Sequence, residues 1–352
     1  MAAFLLFGSA VISVQAAFTS FYVFGDGLSA ASNNTPIGPY YYGVRNSNGR
    51  VWVEVLAQRQ GLPFYFSNNV SVFGNTSTNL VSEVNHFNPP ADASNALVVI
   101  WVNNADMYYP AVTAPPTLAV FNAAINQSQI NHYKAITNLY AKGIRTLIMP
   151  NVVDISSIPQ FNTYTAYTNL FHQSCTNYNA NFYTTVNQIR TNHQYSDLTI
   201  YVPDFFTLLT NLMTHPTSYG VTNALQGGLS IDAFGALGTP SLTNGPATNY
   251  IFWDARDPTA MVHAWMANLT QQLISPARIG EVTPVDGGNE LDLINVPIGQ
   301  NGLVLGSTGL EQPGWSTNAT FISTNAEQSV FVPAYDPQCF YRLSFPFSWT
   351  WP

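Results

Sequence analysis

Along the first three quarters of this chain, solid apolar runs alternate with stretches in which apolar residues recur every three or four positions. A short apolar run bounded by turn signals is what a strand buried on both faces looks like, whereas a 3.6-residue period marks an amphipathic helix. Strands are predicted over Phe18–Phe24, ended by Gly25-Asp26-Gly27, over Ala96–Val102, over Ile144–Met149, stopped by Pro150, and over Leu198–Val202. Helical periods cover Asn48–Gln60, Leu118–Tyr140, Thr163–Arg190, Phe205–Met213 and Asp257–Leu273. Lys142-Gly143 closes the Leu118–Tyr140 helix with a cation and a C-cap glycine, and Pro258 sits in the first turn of the last helix. Strands alternating with helices predict an α/β fold whose parallel sheet is covered on both faces.

From Ser275 the helical period disappears. Leu291–Val296, Gly302–Leu305, Ala319–Ser323, Ser329–Val332 and Phe340–Phe345 are short and separated by turns. They predict a small all-β module over residues 282–346, in the manner of a fibronectin-like sandwich. It resembles short modules that end many bacterial secreted proteins, with Trp315 and the closing Phe340-Tyr341-Arg342-Leu343 as the recurring elements. The α/β unit is assigned to residues 18–275.

Composition sharpens this picture. Apolar residues make up 46% of the chain, enough for a sizeable core, while charged residues are only 8%, far below the ~25% of an ordinary globular protein. The resulting amide- and hydroxyl-rich surface suits neutral polymers or sugars outside the cell, and equally suits a compositional habit of exported proteins. The net charge is −8 with ten Lys plus Arg and no basic run, which weighs against a nucleic-acid or anionic-membrane partner. Met1–Ala17 reads as a signal peptide, with an apolar stretch over Ala2–Val14 and Val14-Gln15-Ala16 at the cleavage positions, although a positive n-region is missing. This predicts a secreted or periplasmic protein. No later segment approaches the ~20 apolar residues of a membrane span. Cys175 and Cys339 form no disulfide framework and stand in no metal-ligand spacing, so neither a metal nor a cofactor is expected.

Four blocks bear on chemistry: Tyr22-Val23-Phe24-Gly25-Asp26-Gly27-Leu28-Ser29, Tyr40 to Glu54 with Arg45, Ser47-Asn48-Gly49, Trp52 and Glu54, Val99 to Asp106, and Phe252-Trp253-Asp254-Ala255-Arg256-Asp257-Pro258-Thr259. In order and spacing they resemble the GDSL/SGNH hydrolases, a family of esterases and lipases whose corresponding patterns are F-G-D-S-L-S, G-R-x-S-N-G-x-x-W-x-E, W-x-G-x-N-D and W-D-x-x-H-P-T. The resemblance implies a flavodoxin-like three-layer sandwich and ester hydrolysis. In that chemistry a serine at the end of the first strand attacks the carbonyl. A histidine oriented by an aspartate takes the serine's proton, and a glycine and an asparagine hold the oxyanion.

Carried over by position, the resemblance puts Gly27 at the nucleophile and Asp257 at the base. It puts Asn103 and Ala105 at the two oxyanion positions and retains Asp254 as the orienting acid. Asn104, one residue off, is the remaining candidate oxyanion donor. Ser29 is expected to point away from the cleft and His263 to be structural. His215-Pro216-Thr217 mimics the base motif without an aspartate three residues earlier. These substitutions predict a family member impaired in ester hydrolysis. The alternatives are a secreted protein that binds a glycan or acyl ligand in the old cleft, with Tyr40, Tyr41, Tyr42, Trp101, Tyr108 and Tyr109 near it, and a cell-surface structural protein carried by the β module. Water or a cation held by Asp26, Asp254 and Asp257 is a further possibility, against the plainer reading of Asp26 as a turn residue.

Overall fold

The computed structural model describes residues 18–34, 38–113, 115–238, 249–310, 314–333 and 339–351. The predicted signal peptide, residues 1–17, lies outside them. Strands β1 (Ser20–Gly25), β2 (Ala96–Trp101), β3 (Thr146–Ile148) and β4 (Thr199–Tyr201) pair in parallel in that order. Outside β1, residues 69–72 run alongside it as an irregular edge: Val70 N–H donates to Val23 O at 3.0 Å and Val72 N–H to Gly25 O at 3.3 Å. Counting that segment, the strand that follows β1 in sequence lies outside it, which is the doubly wound arrangement.

The helices are α1 (Trp52–Arg59), α2 (Ser77–His86), α3 (Asn103–Val112), α4 (Leu118–Ala141), α5 (Thr168–Arg190), α6 (Phe205–Thr214), α7 (Ala233–Leu237) and α8 (Ala260–Ile274). They form two packed groups. α1 lies on α8, whereas α2, α3 and α5 pack against α4. Trp52, Trp101 and Phe205 meet edge to face, with ring centroids 5.0–5.7 Å apart. Each such pair is worth ~0.5–1.5 kcal/mol beyond its buried area, and together they tie α1, β2 and α6 into one core.

Three predicted helices of this unit start later than the sequence expectation, α1 at Trp52 rather than Asn48 among them. α5 begins at Thr168 rather than Thr163, because the preceding residues form single turns over Pro159–Phe161 and Thr165–Tyr167. α8 begins at Ala260 rather than Asp257, because Thr259 takes the N-cap place and Asn48 Oδ1 accepts the Ala260 N–H at 2.8 Å. α2 and α3 had no counterpart in the periodicity. Both are ten-residue helices, and much of the buried side of α3 is polar: Asn103, Asn104 and Asp106.

The C-terminal part holds β7 (Arg278–Val285), β8 (Gly288–Ile294), β9 (Asn301–Ser307), β10 (Ser316–Ile322), β11 (Glu327–Pro333) and β12 (Phe340–Ser344). A two-residue hairpin, β5 (Leu225–Gln226) and β6 (Leu229–Ser230), precedes them in the chain. The six strands make two three-stranded antiparallel sheets, β11-β8-β7 and β10-β9-β12, sharing a core of Leu291, Leu293, Val304, Val330 and Val332. β7 escaped the sequence reading because it is mostly exposed. Its signal was the Asp286-Gly287 turn, where Gly287 takes φ 76° and closes a two-residue hairpin loop. After β12 the chain returns to the α/β unit. Phe347 stacks on Trp265 of α8 at 3.6 Å, and Trp351 Nε1 donates to Asn48 O at 2.6 Å.

Candidate active site

The carboxyl end of a parallel sheet is where such folds place their sites, because the loops that leave the strands converge there. At this end of β1 and β2 lies a cavity of about 250 Å³. Asp26 and Gly27 reach it from the first block, Asn104 and Ala105 from the third, and Arg256, Asp257 and Pro258 from the fourth. The remaining wall is aliphatic and aromatic, chiefly Ile155, Ile158, Leu208, Leu209, Leu212 and Val262, with Phe73 and Phe252.

The second block does not line the cavity; it fixes the fourth. Ser47 Oγ donates to Pro258 O at 3.0 Å, and Asn48 caps α8. Arg45 clamps Glu54 from Nε and Nη2 at 2.7 and 2.5 Å, and Glu54 in turn accepts the Val51 N–H at 2.9 Å, opening α1. A half-buried guanidinium and a buried carboxylate thus satisfy each other and a helix start, which fixes the loop of the second block to α1.

Gly27 is closed over rather than open. A β-carbon built on it would meet Asn46 Nδ2 at 2.5 Å and Phe73 Cδ2 at 2.9 Å. Ser29 is fully buried and accepts Trp52 Nε1–H at 3.0 Å, so its hydroxyl is committed to the core as expected. Asn103 does not enter the cavity; its amide donates to Pro150 O at 2.9 Å. Asn104 does, and its Oδ1 accepts the Val153 N–H at 3.2 Å while its Nδ2 has no partner at hydrogen-bond distance. The Leu28 and Ala105 N–H groups, with the Asn104 amide adding from beyond hydrogen-bond distance, hold the Asp26 carboxyl down.

Burial outweighs those donors and pushes Asp26 up to about 7. Leu28 N–H donates to Asp26 Oδ1 at 3.0 Å, the turn-stabilising contact its position suggested. Asp257 is pushed well above the usual carboxylate range, first by burial and then by the Asp254 charge, with Asp26 adding to it. Two carboxyls whose burial favours the protonated form therefore face an apolar space. Asp254 does not line the cavity. Its Oδ1 accepts the Arg256 and Asp257 N–H groups at 2.8 and 2.9 Å, and its Oδ2 accepts the Tyr41 hydroxyl at 2.8 Å. The retained acid orients its own turn and a tyrosine. Arg256 lies over Phe73 and Tyr108, 5.2 and 5.9 Å from the ring centroids. Among the described residues, no group of three His, Cys, Asp or Glu could hold a metal ion.

Two other places in the fold bring serine, histidine and aspartate together. Ser128 Oγ lies 3.2 Å from His132 Nδ1 and 2.6 Å from Asp106 Oδ2. The carboxylate holds the serine rather than the imidazole, however, and all three are buried between α3, α4 and α5, away from the cavity. His172 Nδ1 pairs with Asp154 Oδ2 at 2.6 Å, and Ser156 Oγ donates to the same carboxylate at 2.6 Å. This pair stands outside the cavity, and no motif announces it because eighteen residues separate its members. His263 is buried with both ring nitrogens unpartnered, and burial lowers it to about 3. His215 is exposed at the end of α6. The two cysteines are free, and burial raises the Cys175 thiol. Of the flanking aromatics, Trp101 is core, Tyr40 and Tyr41 pack on Phe234, and Tyr108 and Tyr109 line the cavity.

Residues 21–270 match the GDSL-like lipase/acylhydrolase family. The chain belongs to that family. Solved structures with a similar course include the lipase Lip_vut3 from a goat rumen metagenome, at 12% identity over 73% of this chain and 97% of that one, TM-score 0.43. LAE5, an alpha/beta hydrolase enzyme from the metagenome of Lake Arreo, is 12% identical over 74% and 96%, TM-score 0.41. Axe2, an acetylxylan esterase from Geobacillus stearothermophilus, is 10% identical over 73% and 96%, TM-score 0.40. No curated protein sequence matches the chain. In this GDSL-family chain the blocks at 22–29, 99–106 and 252–259 meet around one cavity, and that at 40–54 braces them. No helix among the described residues is long and apolar enough to cross a membrane.

Proposed function

We propose that this chain is an exported GDSL-family protein that binds an acyl ligand, a fatty acid or an acyl ester, without cleaving it. The observation that carries this reading is the cavity itself: an aliphatic wall from β3–α5 and α6 runs to a polar end at which Gly27 stands in the nucleophile position. Each methylene moved from water into such a wall gains ~0.8 kcal/mol. A glycan would leave hydroxyls unpaired against the same leucines, which argues for acyl over sugar. Without a side chain at Gly27, and with Asp257 in the base position, neither an attacking hydroxyl nor an imidazole faces a bound ester. The apolar leader and the low charge support export.

Displacement of a fluorescent fatty acid by unlabelled acids of graded chain length, with p-nitrophenyl ester turnover measured on the same sample, tests this. The expected result is affinity that rises with chain length and turnover at the buffer rate. Asp26 supports a second reading, in which a carboxylate that titrates near neutrality activates water against the ester. Turnover lost in Asp26→Asn and Asp257→Asn would establish that reading and overturn the first.

A further inference from the structure

A second, smaller cavity of about 70 Å³ lies where α1, α8, the 297–300 loop and the C-terminal tail meet. Its walls include Arg50, Gln58, Arg59, Gln300 and Ser348 and, among the described residues, no carboxylate side chain. Arg59 is 2% exposed. Its Nη1 donates to Ala264 O at 3.2 Å, while Nε and Nη2 have no partner. Those two donors form one edge of the guanidinium, the parallel fork that two oxygens of a carboxylate, sulfate or phosphate accept. Two glutamines stand beside it, Gln300 buried and Gln58 exposed. Gln58 Oε1 is taken by Arg50 Nη1 at 2.6 Å and Gln300 Oε1 by Ser348 Oγ at 3.2 Å, so each glutamine presents its amide N–H₂. Buried charge without a counter-charge is costly, and the strain registers on Arg59, which burial and then the Arg50 charge lower to about 10.

We propose that this junction is a binding site for a small oxyanion, held side-on by Arg59 and completed by the amides of Gln58 and Gln300. The anion joins the two parts of the molecule. Arg59 already reaches both, through Ala264 of α8 and through its own carbonyl, which accepts the Ile298 N–H at 3.2 Å. The site is independent of the acyl cavity, so either assignment can fail alone.

Thermal unfolding of the full chain in sulfate, phosphate, acetate and chloride at constant ionic strength provides the test, with Arg59→Met beside it. Stabilisation by a ligand of the native state grows with the logarithm of its concentration. The midpoint should therefore rise by about 2 °C per tenfold oxyanion above saturation. Chloride, which cannot bridge the fork, should do less, and Arg59→Met should lose the oxyanion increment. If that variant does not fold, crystals of the parent chain soaked in selenate should show anomalous density beside Arg59. A midpoint indifferent to anion identity overturns the proposal, as does density for water alone. So does selenate seen only at crystal concentration with flat melting curves.

Discussion

Gly27→Ala should destabilise the protein although the backbone there permits alanine, since Gly27 is not among the glycines with positive φ. Alanine at such a position ordinarily stabilises by ~0.4–1 kcal/mol through the unfolded chain. Against that gain stands the Asn46 amide, 2.5 Å from the new methyl where ordinary contact begins near 3.4 Å. Phe73 can swing away because it is half exposed, but Asn46 is buried and its Oδ1 is within 3.5 Å of Asn34 Nδ2. Overpacking of this kind costs ~1–3 kcal/mol, and against a buried partner the upper half of that range applies, leaving a net loss of ~1–2.5 kcal/mol. Gly27→Ser should lose less than Gly27→Ala, because Asn46 Nδ2 has no partner and a serine oxygen can accept from it once the amide draws back. In an Asn46→Ala background Gly27→Ala should be neutral or stabilising. Urea unfolding of the four corners of that cycle reads the coupling directly. Additivity within ~0.3 kcal/mol, or a Gly27→Ala as stable as the parent, would show that the place is open and refute the reasoning.

The remaining expectations concern the same cavity and its supports. Asp26 is raised from 3.8 to about 7, so the folded state keeps a proton that the unfolded state releases. Its contribution to stability is full below pH 4 and is lost as pH rises to about 7. That loss is on the order of 4 kcal/mol. Asp26→Asn should flatten this fall in urea titrations between pH 4 and 7, and an unchanged slope would sink the assignment. Glu83, also raised to about 7, and Asp257, raised by burial and the Asp254 charge, should keep their own contributions to the fall in that variant. Ser29→Ala should cost ~1–3 kcal/mol by stranding the Trp52 indole N–H, with no change in fatty-acid affinity; an affinity change would place Ser29 in the site after all. Leu208→Trp should fill the cavity and weaken fatty-acid binding tenfold or more in the displacement assay, and undiminished binding would mean the ligand lies elsewhere.

The sheet and the long helices were legible because each rests on a local pattern, and the convergence of the motif blocks because the family resemblance implies it. Apolar runs encode β1 and β2 directly, and the block at 252–259 carries its turn in its own spacing. α2, α3 and β7 were illegible for physical reasons. α3 places polar Asn103, Asn104 and Asp106 in buried positions, so its inward side does not look apolar. β7 keeps most of its residues in solvent, so it has no alternation to read. The site divides the same way. Substitutions at Gly27 and Asp257 are visible residue by residue, but what those substitutions face is a property of segments distant in sequence. Asn46 and Phe73, from two other loops, stand against Gly27. The space of the absent hydroxymethyl is therefore not a vacancy that a serine could simply reoccupy. Restoring the family's hydroxyl and imidazole by Gly27→Ser and Asp257→His would insert a group against packed neighbours and leave Asp254 still bonded to Tyr41. Recovery of ester turnover then depends first on clearing Asn46, a residue that lies outside the five catalytic positions the motif blocks name.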